Sequence, residues 1–456
     1  MVGSDAVGTA PALLDAYAQD AYTLITARPQ AVVWPSRADQ VTEVVRTLAR
    51  HGVAVVARGG GTSLSGGAIA AKSGVVVHLS RMNRVVAVDP VLRVAEVEPG
   101  VINAWVSREA ARWGLAYAPD PSSQQACTIG GNIAENAGGP HCLKYGVTLN
   151  HVLMADVVWA DGRESRVGSL SGDVDGSDTL ALVVGSEGTL GIVTRAWVRL
   201  VPIPETQATV QAVFDDVDDA SRAVSAIIAA GIVPAALEMM DRLAVTAVER
   251  GQYHVGYPLD LRAVLLVELD GLAEQVQEEA AAVEGILARH HVRTVRRASS
   301  DRERALWWAN RKTAFGAMGL ISPRYYVQDG VIPRSRLPEA LRAIEEVARR
   351  RDLRIANVFH AGDGNLHPLL LYDGRDLAEV RRVEAAGHEV LDVCLALGGS
   401  VTGEHGVGLE KREDFARQLT PKEMAFQRAV KSAFDPEGRL NPGKIFLDAV
   451  SDGSGG

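Results

Sequence analysis

Arg58-Gly59-Gly60-Gly61-Thr62-Ser63-Leu64-Ser65-Gly66-Gly67 follows the short apolar run Ala54-Val55-Val56-Ala57, and the reading of this decapeptide decides the fold. Five glycines in ten residues rule out regular helix or strand, because glycine weakens both. Such a run brings backbone N–H groups up to an anion with no side chains in the way, and Thr62, Ser63 and Ser65 add hydroxyl donors. The preceding apolar run reads as a buried strand. No Lys closes the loop, so it is not the phosphate loop of an ATPase, and it does not open a helix at the dinucleotide-fingerprint spacing. Taken alone, it is explained as well by a flexible Gly/Ser surface loop.

Two more clusters change that balance. Pro119-Asp120-Pro121-Ser122-Ser123 leads into Cys127-Thr128-Ile129-Gly130-Gly131-Asn132-Ile133-Ala134-Glu135-Asn136-Ala137-Gly138-Gly139 and then Lys144-Tyr145-Gly146. After the buried run Ala181–Val184, read as a strand, comes Gly185-Ser186-Glu187-Gly188-Thr189-Leu190-Gly191-Ile192-Val193-Thr194. Three clusters, each beside an expected strand, point to one extended ligand lying on one domain.

The chain has 456 residues, enough for two or three domains with substantial cores. Its net charge of −9, with both signs interspersed, excludes the basic stripe of a nucleic-acid binder. No apolar run approaches a membrane span and the N-terminus lacks a secretory signal, so a soluble cytoplasmic protein is expected. The three cysteines (Cys127, Cys142, Cys394) are far apart, which excludes a disulfide scaffold and a self-supplied iron–sulfur cluster. Electrons handled here must therefore leave through an external acceptor.

Periodicity divides the chain further. Residues 1–28 are expected to be a partly disordered N-terminal segment. Ala31–Trp34 reads as a strand stopped by Pro35, and Ser36 as the cap of a helix carrying Val41, Val44, Val45 and Leu48. Val75–Leu79, Arg84–Val88 and Leu92–Val97 read as strands of a meander. Pro202 and Pro204 mark a boundary, after which strand 206–214, helix 217–230, strand 234–240, strand 263–269, helix 273–290 and strand 292–295 follow a split, ferredoxin-like pattern. Helices are expected at 301–319, 335–350 and 376–397, and a disordered tail at 451–456. The fold class is α+β.

The chemistry-bearing residues lie near the C-terminus. His360-Ala361-Gly362-Asp363-Gly364-Asn365-Leu366-His367 and Thr402-Gly403-Glu404-His405-Gly406-Val407-Gly408 put two imidazoles and a Glu-His pair in Gly-flanked turns. Two histidines plus one carboxylate suit a divalent ion with open positions. Glu404 and His405 cannot easily both ligate one ion in tandem, so one ligates and the other is left to move a proton. The spacing is not that of a zincin peptidase. Arg311, in Trp307-Trp308-Ala309-Asn310-Arg311-Lys312, either packs its stem on the rings or clamps a carboxylate, and Arg324 is a weaker candidate.

With these motifs in order, the chain resembles the FAD-dependent D-2-hydroxyacid dehydrogenases of the vanillyl-alcohol-oxidase superfamily, in the branch of glycolate oxidase catalytic subunits and D-lactate dehydrogenases. Asn441-Pro442-Gly443-Lys444 completes the set. The resemblance implies a PCMH-type FAD-binding domain (29–205), a ferredoxin-like cap domain carrying the metal site (206–430) and a C-terminal segment returning to the flavin side (431–456). It implies FAD on Arg58, Gly59, Gly60, Gly61, Thr62, Ser63, Leu64, Ser65, Gly66 and Gly67. From the second cluster it implicates Pro121, Ser122, Ile129, Gly130, Gly131, Asn132, Ala134, Asn136, Ala137, Gly138, Gly139 and Tyr145. From the third it implicates Glu187, Gly188, Gly191, Ile192 and Val193, and from the C-terminal segment Asn441 and Lys444. It further implies a metal, zinc with iron or manganese as alternatives, on His360, His367 and Glu404, with His405 as base and Arg311 as carboxylate anchor.

The first glycine loop contains no His, so FAD is expected to be dissociable, with His141 the one nearby candidate to the contrary. The absence of Lys from Tyr325-Tyr326-Val327-Gln328-Asp329 favours a monocarboxylate substrate over one with a distal carboxylate. The expected activity is oxidation of a small D-2-hydroxy acid to the 2-oxo acid, with electrons passing to a quinone, a cytochrome or an iron–sulfur partner subunit. Such a partner would place the protein peripherally at the inner membrane, and a homodimer is compatible with the pattern. The rival readings are a flavin subunit active only within a complex, and a metallohydrolase.

Overall fold

Valine-rich segments build the first sheet: in the computed structural model, which describes residues 2–172 and 176–447, Ala31–Val33, Val75–His78 and Val55–Arg58 pair in parallel, with Val75–His78 between the other two. Parallel neighbours need a crossover. The first is the helix Ala38–Arg50, which buries Val41, Val44 and Val45 on one face. Ser36 does not cap it; its Oγ and backbone N–H both donate to Gln40 Oε1 instead. The second crossover contains no helix: the glycine loop leaves the end of Val55–Arg58 and delivers the chain to Val75–His78. This strand therefore does not belong to the expected meander. Residues 2–28, expected to be partly disordered, carry ordered elements, including Val7–Gly8 antiparallel to Ala31–Val33 and the helix Pro11–Ala16.

The second sheet is antiparallel, in the order Val85–Asp89, Val94–Val97, Gly191–Arg199, Val152–Trp159, Glu164–Gly168. Its inner face packs on the helices Asn103–Ala110 and Ile129–Glu135 through Val106, Ala110, Ile129 and Ile133. The run read as a strand at 181–184 belongs to a short helix, Thr179–Val183, capped by the Asp178 carboxylate.

The chain forms two compact units. The first comprises residues 1–138, 147–203 and 404–456; the second comprises 139–146 and 204–403. In the second unit Thr206–Phe214, Ala236–Asp241, Ala263–Gly271 and Thr294–Arg297 lie in the order fourth, first, third, second, all antiparallel, with helices Val217–Ala229 and Ala273–Ala288 in the connections. This is the ferredoxin-like arrangement. Arg354–His360 extends the sheet beyond Ala236–Asp241, and Pro368–Tyr372 and Arg324–Val327 follow. The tail expected to be disordered at 451–456 lies outside the described residues.

Candidate active site

In the second unit the site grows from one strand pair. Ala236–Asp241 reads Ala-Leu-Glu-Met-Met-Asp, and its single mid-strand acid, Glu238, lies directly opposite His360 in the antiparallel ladder. Both are buried, at 1% and 4% exposure. His360 Nδ1 is 2.7 Å from Glu238 Oε1. An ionised carboxylate can only accept, so Nδ1 carries the proton and Nε2 carries the ring's lone pair. Behind Glu238, the Arg311 guanidinium on the helix Asp301–Lys312 pairs with the other carboxylate oxygen. Burial alone would raise the Glu238 carboxyl, but Arg311 and His360 outweigh it and hold the group below the usual carboxylate range.

After His360 the chain reverses through Ala361–Gly364 and pairs back along Asn365–Leu366. Gly364 has φ +85, and a Cβ there would lie 2.1 Å from the Ile332 carbonyl oxygen, so the turn demands glycine. The reversal sets the His367 ring 5.1 Å from that of His360 at an interplanar angle of 87°. Phe315 lies edge-on against His367, and Asp329 Oδ1 is 3.5 Å from its Nε2. Asp329 is fully buried and accepts from Thr402 Oγ1 (2.6 Å) and the Gly403 amide (3.1 Å). It thereby fixes the chain at the residue preceding Glu404. Two buried imidazoles, one with its tautomer set by a carboxylate, are a donor set that suits a divalent transition ion.

Of the other expected residues in this unit, Arg311 is buried against Glu238, and its Nε has no protein hydrogen-bond partner among the described residues. Arg324 is exposed. His141 stacks on Trp308 and lies 3.2 Å from Glu268 Oε1, while the Tyr145 hydroxyl donates to Asp270 (2.6 Å). Gly139 and Tyr145 thus sit in the second unit, apart from the rest of their cluster. Glu238 and Asp329 were not singled out from sequence. One acid inside an apolar strand was the available signal for Glu238.

In the first unit the three glycine clusters converge. A Cβ on Gly59 would lie 2.2 Å from Thr128 Oγ1 and one on Gly60 would lie 2.4 Å from the Ala126 carbonyl, so the first loop lies backbone-to-backbone on the second cluster. Thr128 caps the helix Ile129–Glu135, and Asn136 ends it in the left-handed region. The third cluster joins through the Glu187 amide, which donates to the Ala134 carbonyl (2.7 Å). Asn441 Nδ2 donates to the Gly67 and Glu187 carbonyls, and Lys444 Nζ to the Ile69 carbonyl (2.6 Å) and Asn441 Oδ1 (2.9 Å).

The Arg58 guanidinium donates to the Gln19 carbonyl, lies over the Tyr17 ring and packs against Gly61, where a Cβ would lie 2.3 Å from its Nη2. Among the described residues the amides of Gly60, Gly61, Thr62, Ser63 and Leu64 donate to no protein acceptor. A run of unspent N–H groups on a glycine backbone fits the pyrophosphate of a dinucleotide cofactor.

Beneath the loop lies a buried charge cluster that was also not anticipated as such. Glu187 accepts from the Val407 and Gly408 amides (2.7 Å each), which folds the turn after His405 onto the third cluster. Burial and the Glu187 charge push Glu135 well above the carboxylate range, and burial pushes Asp20 up to about 6 and Lys444 down to about 8. Glu404 and His405 begin the last segment of this unit.

Comparison with known proteins agrees with this architecture. Residues 29–168 match the family described as FAD binding domain, and residues 203–445 match FAD linked oxidases, C-terminal domain. Glycolate oxidase subunit GlcD of Escherichia coli (strain K12) is 47% identical over 428 residues, covering 94% of this chain and 86% of that one. D-lactate dehydrogenase of Archaeoglobus fulgidus is 34% identical over 418 residues, covering 91% and 90%. The solved structure of 4-ethylphenol oxidase from Gulosibacter chungangensis shares the fold, with a TM-score of 0.80 at 19% identity over 98% of this chain and 95% of that one. An FAD-binding domain followed by the C-terminal domain of FAD-linked oxidases defines a flavin-dependent oxidoreductase. The chain belongs to the FAD-linked oxidases, in the branch of glycolate oxidase subunits and D-lactate dehydrogenases.

Proposed function

We propose that the protein oxidises a small D-2-hydroxy acid of the glycolate or D-lactate class to the 2-oxo acid. The observation that carries this reading is the buried right-angled pair His360 and His367, with Glu238 and Arg311 behind it. FAD, which the glycine clusters would hold non-covalently, would supply the acceptor for the hydride that leaves Cα. A divalent ion, for which His360, His367 and Glu404 are the candidate ligands, would supply charge that lowers the pKa of the substrate hydroxyl.

The chain's own groups do the rest. Arg311 orients the substrate carboxylate through its remaining N–H donors. His405 accepts the hydroxyl proton on a ring nitrogen as the C–H bond breaks. The O–H bonding pair, left on oxygen when His405 takes the proton, becomes the second C=O bond as the C–H pair leaves Cα with the hydride. His360 and His367 are both buried, which limits the access of water to the two rings.

Non-covalent FAD is supported by the engagement of the nearby histidines. His78 has Nε2 on the Gly59 carbonyl (2.9 Å) and Nδ1 on Ser80 (3.0 Å), and His141 is held by Glu268 and Trp308. Electrons leave to an external acceptor, because three cysteines are too few to hold an iron–sulfur cluster within the chain. A relative named as an oxidase subunit favours a partner polypeptide in that role. Family membership leaves the metallohydrolase reading without support.

The test is reduction of an artificial dye by the purified protein with glycolate and each hand of lactate, run alongside metal analysis of two variants. Glu404→Gln is expected to lose metal and turnover together. His405→Asn is expected to keep metal and FAD while flavin reduction falls on the order of 10²–10⁴-fold. Chelation is expected to abolish turnover with flavin absorbance intact. Full activity in metal-free protein, or metal loss in His405→Asn alone, would reject these assignments.

A further inference from the structure

We propose that Glu238 is the positioning residue of the metal site: it fixes His360 as the Nδ1–H tautomer and aims Nε2 at the ion, with Arg311 keeping the carboxylate in place. The proposal rests on the metal reading above. Three observations carry it. The two residues are direct partners across the antiparallel ladder, Glu238 opposite His360, so their Cβ atoms are set close by backbone pairing. The Oε1···Nδ1 distance is 2.7 Å between side chains that are each at most 5% exposed, where a histidine tautomer is governed by the partner it meets rather than by water. The second carboxylate oxygen pairs with Arg311, itself 4% exposed, so the carboxylate cannot swing away without stranding a buried cation.

Glu238 thus has one oxygen on the ligand and one on the residue assigned to the substrate carboxylate. A single side chain ties metal affinity to the geometry of the anchor. A purely structural acid, buried to satisfy Arg311 alone, would leave metal affinity unchanged when neutralised. A positioning acid would not.

The experiment titrates metal-free, FAD-loaded protein with Zn²⁺ against a chromophoric chelator, for wild type, Glu238→Gln and Glu238→Asp. Glu238→Gln is expected to bind Zn²⁺ about 10–100-fold more weakly, with FAD content unchanged. Glu238→Asp, which keeps the charge but shortens the reach, is expected to fall between that variant and wild type. Zn²⁺ affinity in Glu238→Gln equal to wild type overturns the proposal while leaving the metal reading intact; no Zn²⁺ binding by wild type overturns both. Should Glu238→Gln fail to fold, a crystal structure of Zn²⁺-loaded wild type decides: Nε2 of His360 facing the ion supports the proposal, and Nδ1 facing it refutes it.

Discussion

Asp20 shows how a single residue links the cradle to pH. Its carboxylate accepts from the Tyr22 and Ala68 amides (2.9 and 3.1 Å), yet burial dominates and raises its pKa from 3.8 to about 6. The folded state therefore holds the proton more tightly than the unfolded chain does. The stability Asp20 contributes is complete below about pH 4 and is lost as pH rises through about 6. From pH 4 to pH 7, chemical denaturation of wild type relative to Asp20→Asn should show a loss of at most about 3 kcal/mol. A stability difference that is flat with pH would mean the carboxyl is ionised throughout. The nearby Arg58 guanidinium, which also donates to the Gln19 and Ala68 carbonyls, favours the ionised carboxylate without offsetting burial.

Among the elements, the His360–His367 hairpin depends on backbone geometry more than on its imidazoles. Gly364→Ala puts a methyl group 2.1 Å from the Ile332 carbonyl at φ +85, so the turn must open. The left-handed conformation alone costs roughly 1–2 kcal/mol for a residue with a Cβ. The variant is expected to retain FAD but lose most of its metal, as measured by flavin absorbance and metal analysis of one preparation. Normal metal content would show that the turn tolerates rearrangement.

Such hairpins were legible because glycine and histidine mark them locally. Amphipathic helices such as Ala38–Arg50 and the alternation that gives the ferredoxin-like order were legible for the same reason: periodicity is a local property. Partner choice was not. Val75–His78 has the composition of a meander strand but is drawn between two parallel neighbours by the crossovers around it. The apolar run at 181–184 is too short to choose between strand and helix until the Asp178 cap is seen. Glu238 looked like a stray acid until its cross-strand partner was known.

At the scale of the whole molecule, neither unit is one continuous stretch of chain. Leu440 forms a parallel bridge with Val55, the Asn441 amide donates to the Val55 carbonyl (2.7 Å), and Asn441 Nδ2 reaches the Gly67 carbonyl (2.9 Å). The edge strand that leads into the glycine loop is thus finished by residues about 385 positions later, while every segment of the second unit lies before residue 404. On the ribosome, the unit begun first is completed last. A nascent chain halted after Arg439 should already protect the second unit from protease yet retain no flavin, and release of the remaining residues should let the cofactor bind. FAD capture then waits for Leu440 and Asn441, and a product truncated before them reveals itself by its lack of colour.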